Sequence, residues 1–342
     1  MPDTRKISPC PICRSTGGHQ VASYEANQAA QAFLPRRLEP ERHTALCRKL
    51  SALWHHGPCI LYRCDSCDFI YADPFVSGDA EFYDLAFPDA SYPRRKWEYD
   101  RTRQALRECK FAEPSLLEIG AGNGAFLKQL LEDGWSPADL QAFEFSSSGR
   151  ADIERIRVNC LAADLRSVEL NRVFDVVCMF QVLEHLDDYD GIFEVLKRIV
   201  RPGAHFFVAI PNGGWISLNE SRRLMLDMPP NHLSRWSQVS LAALACRFGW
   251  RLAECELEPP SRVQTVTRTL TDRFIRLVND ESFWESRAAE LAVGTRSRGL
   301  ARFIKAGAAL TSPACLCAAI RAALAPVTSQ NIWAHLIRPG EA

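Results

Sequence analysis

The chain contains 342 residues, of which 47% are hydrophobic and 24% are charged, so it is longer than one ordinary domain and can bury a large core. Its 41 basic and 41 acidic side chains balance to a net charge of zero. This excludes the overall positive field of a typical nucleic-acid-binding protein and leaves only a local patch open. Because the first residues lack the apolar core of a secretory signal, we expect a cytoplasmic protein whose 13 cysteines are thiols and metal ligands, not disulfides.

Two CxxC pairs near the N-terminus predict a metal site. Cys10 and Cys13 form the first pair, and Cys64 and Cys67 form the second. Four thiolates directed at one point make the tetrahedral site that Zn²⁺ prefers, and a closed site of this kind has a structural role. The side chains within or near the intervening segment that are alternatives for one ligand are Cys47, Cys59, His19, His43, His55 and His56.

Residues 1–78 are therefore predicted to be a zinc-binding module. The segment 24–53, between the two pairs, has a helical composition and is expected to be an insertion on this module. Metal binding would supply folding free energy that so small a unit lacks.

The segment 115–127, SLLEIGAGNGAFL, reads as a buried strand, a glycine-rich turn and the start of a helix. Gly120, Gly122 and Gly124 allow the backbone to turn tightly and to approach a ligand. The same segment also satisfies the relaxed dinucleotide pattern GxGxxA. Glu118 separates the two interpretations, because a carboxylate at this point suits an ammonium group and would repel a pyrophosphate.

A second strand, 140–145, ends at Glu144, where a carboxylate can hold both hydroxyls of a ribose. Nicotinamide and adenosyl cofactors share this feature. Strands and helices then alternate, which predicts an α/β fold with a doubly wound sheet whose ligands lie at the carboxyl ends of the strands. The predicted strands are 115–119, 140–145, 156–160, 174–180, 205–210, 250–258 and 331–338, and the predicted helices are 124–133, 147–155, 189–201 and 237–248.

These motifs resemble those of the class I S-adenosylmethionine-dependent methyltransferases. The matching features are the glycine turn after Glu118, the acidic residue Glu144, the acidic residue Asp164, the segment FDVVCMFQVLEHLDD at 174–188 and the segment PPNHLSRWS at 229–237. The VLEHL and NHLxxW elements resemble most closely the branch with ubiquinone-type O-methyltransferases and sugar methyltransferases. The resemblance covers about residues 80–258 and the last strand, and it implies a seven-stranded Rossmann-like core.

The resemblance also implies how S-adenosylmethionine is bound. The methionine part would be held by Glu118 and the turn, the ribose by Glu144, the adenine by Asp164 with Leu165, and the floor of the site formed by Gln181 with Val182. The full set of predicted cofactor-binding residues is Glu118, Gly120, Ala121, Gly122, Gly124, Glu144, Phe145, Asp164, Leu165, Gln181 and Val182. Tyr92 and Trp97 precede the core, where an aromatic face can contact a sulfonium or simply pack between helices.

The acceptor is expected to be a small molecule methylated at a hydroxyl oxygen or an activated carbon, such as a sugar, a quinone-like compound or a natural-product intermediate. His185 and His232 are the candidate catalytic bases, and the alternative is that they pack and position loops. Glu184 is a candidate for orienting the turn. Two other functions stay open, namely an RNA base methyltransferase that grips RNA with its zinc module and a degenerate fold that serves as an assembly partner.

The methyltransferase core is predicted to comprise residues 79–258 and 327–342. Residues 259–326 are predicted to be a helical insertion that acts as a lid or a hydrophobic hairpin. Its apolar part, 299–326, is alternatively a contact with a membrane surface, a lipid-linked substrate or a partner. The sequence leaves the oligomeric state open.

Overall fold

A computed structural model describes residues 7–87, 93–109, 111, 114–221, 227–263, 265–267, 320 and 328–340. Most of the predicted insertion at 259–326, including nearly all of its apolar part, lies outside the described residues, as does Tyr92. None of the helices in the described ranges is long and apolar enough to cross a membrane.

The N-terminal module is built on a small antiparallel sheet with helices between its strands. Its elements are β1 (Gly18–Tyr24), α1 (Ala26–Phe33), α2 (Pro40–Leu53), β2 (Cys59–Cys64) and β3 (Ile70–Asp73). The helical insertion predicted between the CxxC pairs corresponds to α1 and α2. Leu46 and Leu50 of α2 are fully buried, so this helix packs on the sheet with an apolar face.

Two helices connect the module to the larger sheet, and a regular alternation follows. The connecting helices are α3 (Ala80–Ala86) and α4 (Trp97–Glu108). The later elements are β4 (Leu116–Ile119), α5 (Ala125–Glu132), β5 (Leu140–Phe143), α6 (Ser147–Arg155), β6 (Asn159–Leu161), β7 (Phe174–Phe180), α7 (Tyr189–Ile199), β8 (Val200–Pro211), α8 (Gly213–Ser221), β9 (Ser234–Arg235), α9 (Gln238–Arg247), β10 (Arg251–Leu257) and β11 (Asn331–Ile337).

The larger sheet has seven strands in the order β10-β11-β8-β7-β4-β5-β6. Five neighbouring strands pair in parallel, in the order β8-β7-β4-β5-β6. β11 is antiparallel to both β8 and β10. The predicted doubly wound α/β sheet with an antiparallel last strand is therefore confirmed. The strand order reverses between β4 and β7, and ligands of such folds bind at this crevice.

Both faces of the larger sheet are covered. Leu117, Val177 and Val208 belong to the apolar cluster on one face, and Leu116 and Val176 belong to the cluster on the other. Because both faces are buried, the central strands are continuous apolar runs rather than alternating ones. Full burial of side chains of this size contributes about 1.5–3 kcal/mol each.

The two sheets are joined by a strand that the sequence analysis did not predict. β9 lies in the segment assigned to the methyltransferase core, yet it pairs with β3 and completes the N-terminal sheet in the order β1-β2-β3-β9. Arg235, the second residue of β9, donates hydrogen bonds to Glu220 and to the hydroxyl of Tyr24. The Arg235 side chain is only 4% exposed, so it forms a buried ion pair with Glu220 and, through Tyr24, a buried hydrogen bond to the N-terminal module.

Candidate active site

The glycine turn follows β4 at the carboxyl end of the central strands. Gly120, Gly122 and Gly124 all have left-handed backbone conformations, with φ of 73°, 56° and 69°. The amides of Gly120 and Ala121 donate to the carbonyl of Phe143 at 2.9 and 3.0 Å, which ties the turn to β5. The predicted loop is therefore present, and its backbone requires residues that tolerate positive φ.

Glu118, two residues before Gly120, is a buried acid with one unpartnered oxygen. Its side chain is 1% exposed, and its Oε2 atom has no hydrogen-bond partner. Burial raises the pKa of Glu118 well above its usual range, the neighbouring Glu144 raises it further, and Lys96 opposes the shift. A buried carboxyl without a partner is costly, so this position fits a cationic group of a ligand such as an ammonium.

Glu144 follows β5 and faces the same turn. Its two carboxyl oxygens accept hydrogen bonds from the amides of Gly122 and Ser146, each at 2.7 Å. Burial raises the pKa of Glu144, and these two backbone donors oppose the shift. Because a carboxylate can accept about four hydrogen bonds, Glu144 retains acceptor capacity for the hydroxyls of a ribose.

The remaining predicted cofactor residues differ in their surroundings. Phe145 is 73% exposed, which leaves an aromatic face open beside Glu144, whereas Leu165 is buried. The Asp164 carboxylate is engaged by the Arg166 side chain at 3.0 Å and by the Arg166 amide at 2.8 Å. A contact between Asp164 and an adenine therefore stays a prediction, and Asp164 would have to share its oxygens with Arg166.

Gln181 and Val182 lie at the end of β7, across the crevice from the turn. Gln181 has a positive φ of 60°, which is strained for a residue with a side chain. Its backbone amide donates to the carbonyl of Ala209 at 2.7 Å. The Val182 side chain points at Gly120, where an added Cβ would lie 2.4 Å from Val182 Cγ2. The floor predicted from the sequence therefore contacts the glycine turn directly.

Next to this floor, Glu184, His185 and His232 come together. Glu184 and His185 lie in a short 3₁₀ turn after β7, and His232 precedes β9. The two imidazole rings are 4.8 Å apart between centroids, and His185 Nε2 lies 3.9 Å from Glu184 Oε1. The amide of Leu233 donates to the carbonyl of Glu184 at 2.9 Å and fixes the two segments together.

The titration of this cluster is set by burial. Burial lowers the pKa of His232 to about 3, and Arg235 adds to the shift. Burial also lowers the pKa of His185, whose side chain remains 28% exposed. Burial raises the pKa of Glu184 to about 8. Both imidazoles are therefore neutral at physiological pH and can accept a hydrogen bond, while burial makes each a weaker base than a free imidazole.

Residues 91–254 match the methyltransferase domain family. These residues therefore form a methyltransferase domain. The mitochondrial ubiquinone biosynthesis O-methyltransferase of Dictyostelium discoideum is 22% identical over 142 residues, which cover 36% of this chain and 44% of that protein. The chain thus spans less than half the length of this curated relative.

Solved structures of methyltransferases also align with the chain. A SAM-dependent methyltransferase from Archaeoglobus fulgidus has a TM-score of 0.43 and 17% identity, covering 76% of this chain and 100% of that chain. The phosphoethanolamine N-methyltransferase 2 of Haemonchus contortus in complex with S-adenosyl-L-methionine has a TM-score of 0.43 and 16% identity, covering 70% of this chain and 52% of that chain.

The sequence did not indicate several polar neighbours of the methyltransferase site. The Tyr83 hydroxyl, from α3, lies 3.1 Å from His185 Nδ1, and Asp227 lies 3.5 Å from His232 Nδ1. Glu98 of α4 is buried and accepts a hydrogen bond of 3.4 Å from Gln181. An acidic residue in the first turn of a helix was the only signal that the sequence offered for Glu98. No local pattern marks the other two residues.

A cavity of about 610 Å³ lies beside Gly124, at the end of the glycine turn of the methyltransferase domain. Its lining is mostly charged and includes Arg94, Arg103, Lys128 and Arg155. Gly124 is the one predicted cofactor residue among its lining residues. Glu118, Glu144 and Phe145 do not line this cavity, so the candidate cofactor site suggested by these residues is a different place.

The predicted zinc ligands lie outside the methyltransferase domain and form one cluster. Cys10 and Cys67 are 3.6 Å apart between Sγ atoms, Cys13 and Cys64 are 3.4 Å apart, and the four sulfur atoms all lie within 4.8 Å of one another. A Zn–S bond of about 2.3 Å in a tetrahedron gives S–S separations of roughly 3.8 Å. The sulfur positions therefore fit a tetrahedral zinc ion.

The two CxxC turns have the same backbone geometry. The amide of Arg14 donates to the Cys10 carbonyl at 3.0 Å, and the amide of Asp68 donates to the Cys64 carbonyl at 3.0 Å. Arg14 and Asp68 also share a left-handed φ of 62° and 61°. The two turns therefore match in hydrogen bonding and in backbone conformation. Between them, a hydrogen bond from the Cys67 thiol lowers the pKa of Cys10 to about 5.

The histidines and cysteines that were alternatives for one zinc ligand are not in this cluster, which consists of the four CxxC cysteines in the described residues. His43 is buried and lies 2.8 Å from the Leu34 carbonyl, and Cys59 belongs to the apolar core of the module. No cysteine in the described ranges forms a disulfide.

Proposed function

We propose that this protein is an S-adenosylmethionine-dependent methyltransferase that acts on a small molecule. The observation that carries the proposal is the buried, unpartnered oxygen of Glu118 beside a left-handed glycine turn that also faces Glu144. When bound, the cofactor supplies an electrophilic methyl group on a sulfonium. The residues around it must hold a cation, a diol and a flat base without offering a competing nucleophile.

Each group of residues has a distinct task in this proposal. Glu118 accepts hydrogen bonds from the ammonium of the methionine part, and Glu144 accepts them from the ribose hydroxyls. The adenine stacks beside Phe145, over the buried Leu165, at the rim of the sheet. Gln181 and Val182 close the floor, and their contact with the turn fixes the distance between the two walls of the crevice.

The acceptor side of the proposed site is formed by the residues after β7 and before β9. His185 and His232 are neutral, so either can accept a hydrogen bond from an acceptor hydroxyl, and we propose that they orient the acceptor for methyl transfer. Methylation of an oxygen or carbon of a sugar, a quinone-like compound or a natural-product intermediate is the substrate class we propose. The similarity to a ubiquinone biosynthesis O-methyltransferase supports this class, and the absence of net positive charge disfavours RNA.

We further propose that Zn²⁺ binds Cys10, Cys13, Cys64 and Cys67 and stabilises the N-terminal module. Arg247 of α9 donates to the carbonyl of Ile12 at 2.9 Å, so the first CxxC turn rests on the methyltransferase domain. Because β3 pairs with β9, the same module also contacts the segment that carries His232. A structural zinc would therefore support the acceptor side of the site without touching the substrate.

The test is isothermal titration calorimetry of the full chain with S-adenosylmethionine and S-adenosylhomocysteine. The Glu144→Gln variant should bind both at least about 10-fold more weakly, because a hydrogen bond to a charged group contributes about 1.5–3 kcal/mol. Glu132→Gln, an exposed acid on α5, is the matched control and should bind normally. A folded wild-type chain that binds neither compound would refute the proposal, and equal affinity in Glu144→Gln would refute the ribose assignment.

A further inference from the structure

The cavity of about 610 Å³ beside Gly124 is rich in positive charge. It lies between the start of α4, the first turns of α5 and the end of α6. Its lining holds five basic and three acidic side chains, an excess of two positive charges. The basic residues are Arg94, Arg95, Arg103, Lys128 and Arg155, and the acidic ones are Asp100, Glu132 and Asp152.

Ion pairs occupy only part of this positive charge. Arg103 and Arg155 are each held by a neighbouring aspartate. Within the part of the chain that the structure describes, Arg94, Arg95 and Lys128 form no ion pair, and all three are exposed. A single exposed cation is ordinary on a protein surface. Three unpaired cations around one concavity instead raise the local concentration of anions.

The segment that carries the two arginines is fixed to α5. The side-chain amide of Gln129 donates to the carbonyl of Arg94 at 3.2 Å. Lys128 is the residue before Gln129 on the same helix. The unpaired cations therefore belong to elements that are held together without a ligand, and a site arranged in advance loses less conformational entropy on binding.

The N-terminus of α5 adds to the positive potential of the cavity. Gly124 is the N-cap of this helix, and no acidic residue lies in its first turn. An added Cβ at Gly124 would lie 2.8 Å from Ile153 Cγ1, so this position is kept without a side chain. The amide of Ala125 donates to Asn123 Oδ1 at 3.3 Å. The first-turn amides carry partial positive charge and favour an anion in the same place as the three cations.

The kind and number of these cations favour a diphosphate. Guanidinium groups bind phosphate through two parallel hydrogen bonds, and an ammonium binds it as a point charge. Two linked phosphate groups carry a charge of roughly −3, which matches three unpaired cations. The cavity volume is in the usual range for small-molecule sites and leaves room for an organic part. RNA would favour an extended basic surface, whereas this chain has a net charge of zero.

We infer that this cavity binds a small molecule that carries a diphosphate group. It is a second ligand site, because neither the acids of the candidate cofactor site, Glu118 and Glu144, nor the histidines of the proposed acceptor side, His185 and His232, line it. The inference does not rest on the proposed methyl transfer. Since Gly124 also ends the glycine turn, the diphosphate lies next to the loop that is proposed to hold the cofactor.

The experiment is calorimetry of the full chain with sodium pyrophosphate and with inorganic phosphate, at low ionic strength because salt screens exposed charges. Inorganic phosphate should bind about 10-fold more weakly than pyrophosphate, since it reaches fewer of the cations. Arg94→Gln and Lys128→Gln should each weaken pyrophosphate binding by about 5-fold to 10-fold. Lys197→Gln, which changes an exposed lysine on α7, is the matched control and should bind like the wild type.

A third variant is expected to act in the opposite direction. Asp152→Asn removes a lining carboxylate and releases Arg155 from its ion pair, so it should bind pyrophosphate about 3-fold more tightly than the wild type.

Two results would overturn the inference. One is a folded wild-type chain that does not bind millimolar pyrophosphate, or that binds it no better than Arg94→Gln and Lys128→Gln do. The other is a single-stranded RNA that binds more tightly than pyrophosphate and depends on the same two residues, which would make this a nucleic-acid surface. Calorimetry with S-adenosylmethionine on the same samples separates the proposals. Normal cofactor binding without pyrophosphate binding contradicts only the diphosphate site, and the reverse contradicts only the proposed function.

Discussion

Replacing Gly120 by alanine tests whether the cofactor turn requires a residue without Cβ. Gly120 has a φ of 73°, and an added Cβ would lie 2.4 Å from Val182 Cγ2. The left-handed conformation costs a residue with Cβ about 1–2 kcal/mol. The overlap with Val182 adds about 1–3 kcal/mol, as overpacking does elsewhere. Gly120→Ala should therefore lower the free energy of unfolding by about 2–5 kcal/mol, as measured by urea denaturation.

Gly249 supplies a control with nearly the same backbone. Its φ is 72°, and no heavy atom outside its chain neighbours lies within 4 Å of an added Cβ. Gly249→Ala should therefore cost only the conformational part, about 1–2 kcal/mol. The difference between the two variants isolates the overlap with Val182.

A double variant tests the overlap directly. Adding Val182→Ala to Gly120→Ala removes the opposing methyl groups, so the double variant should be more stable than the sum of the two single changes by about 1–3 kcal/mol. Equal losses in Gly120→Ala and Gly249→Ala, together with additive effects in the double variant, would refute the close contact between turn and floor.

Two further predictions concern ionic contacts. Glu220→Gln leaves the Arg235 charge buried without its partner, so the free energy of unfolding should fall by about 3–5 kcal/mol in urea denaturation, and a loss below 1 kcal/mol would contradict a buried pair. Asp133 accepts two hydrogen bonds of 2.6 Å from Arg103, which lower its pKa. The stability from this contact, about 1 kcal/mol, should be present at neutral pH and should be lost below about pH 4, the usual pKa of an aspartate, as the pH falls through the lowered pKa of Asp133. Asp133→Asn should remove this pH dependence, and an unchanged acid limb would contradict it.

The central strands could be predicted from the sequence because their chemistry is local. A strand buried on both faces is a short apolar run, as in residues 174–180, and the glycine turn directly follows one of these runs. β8 is longer than the predicted 205–210, because Val200 pairs with Phe174 before the regular ladder begins at His205. Pairing with a neighbour, which the sequence does not display, sets that end.

The positions of the predicted cofactor residues followed from the sequence more directly than those of the predicted acceptor residues. Glu118 and Glu144 each end a recognisable strand, so their position at the sheet edge follows from the topology. Glu184 and His232 are far apart in sequence, and their proximity depends on a hydrogen bond between the Leu233 amide and the Glu184 carbonyl. Sequence periodicity carries no information about such a contact, so the cluster became visible only in the structure.

The pairing of β9 with β3 also limits how this chain can be divided. A fragment that begins at the predicted boundary near residue 79 would leave β9 as an unpaired edge and would remove the Tyr24 hydroxyl from Arg235. A fragment that ends there would lack the fourth strand of its own sheet. The N-terminal module is therefore not a separable tag on a catalytic unit, and exchanging it between proteins would require exchanging the segment that carries His232 as well.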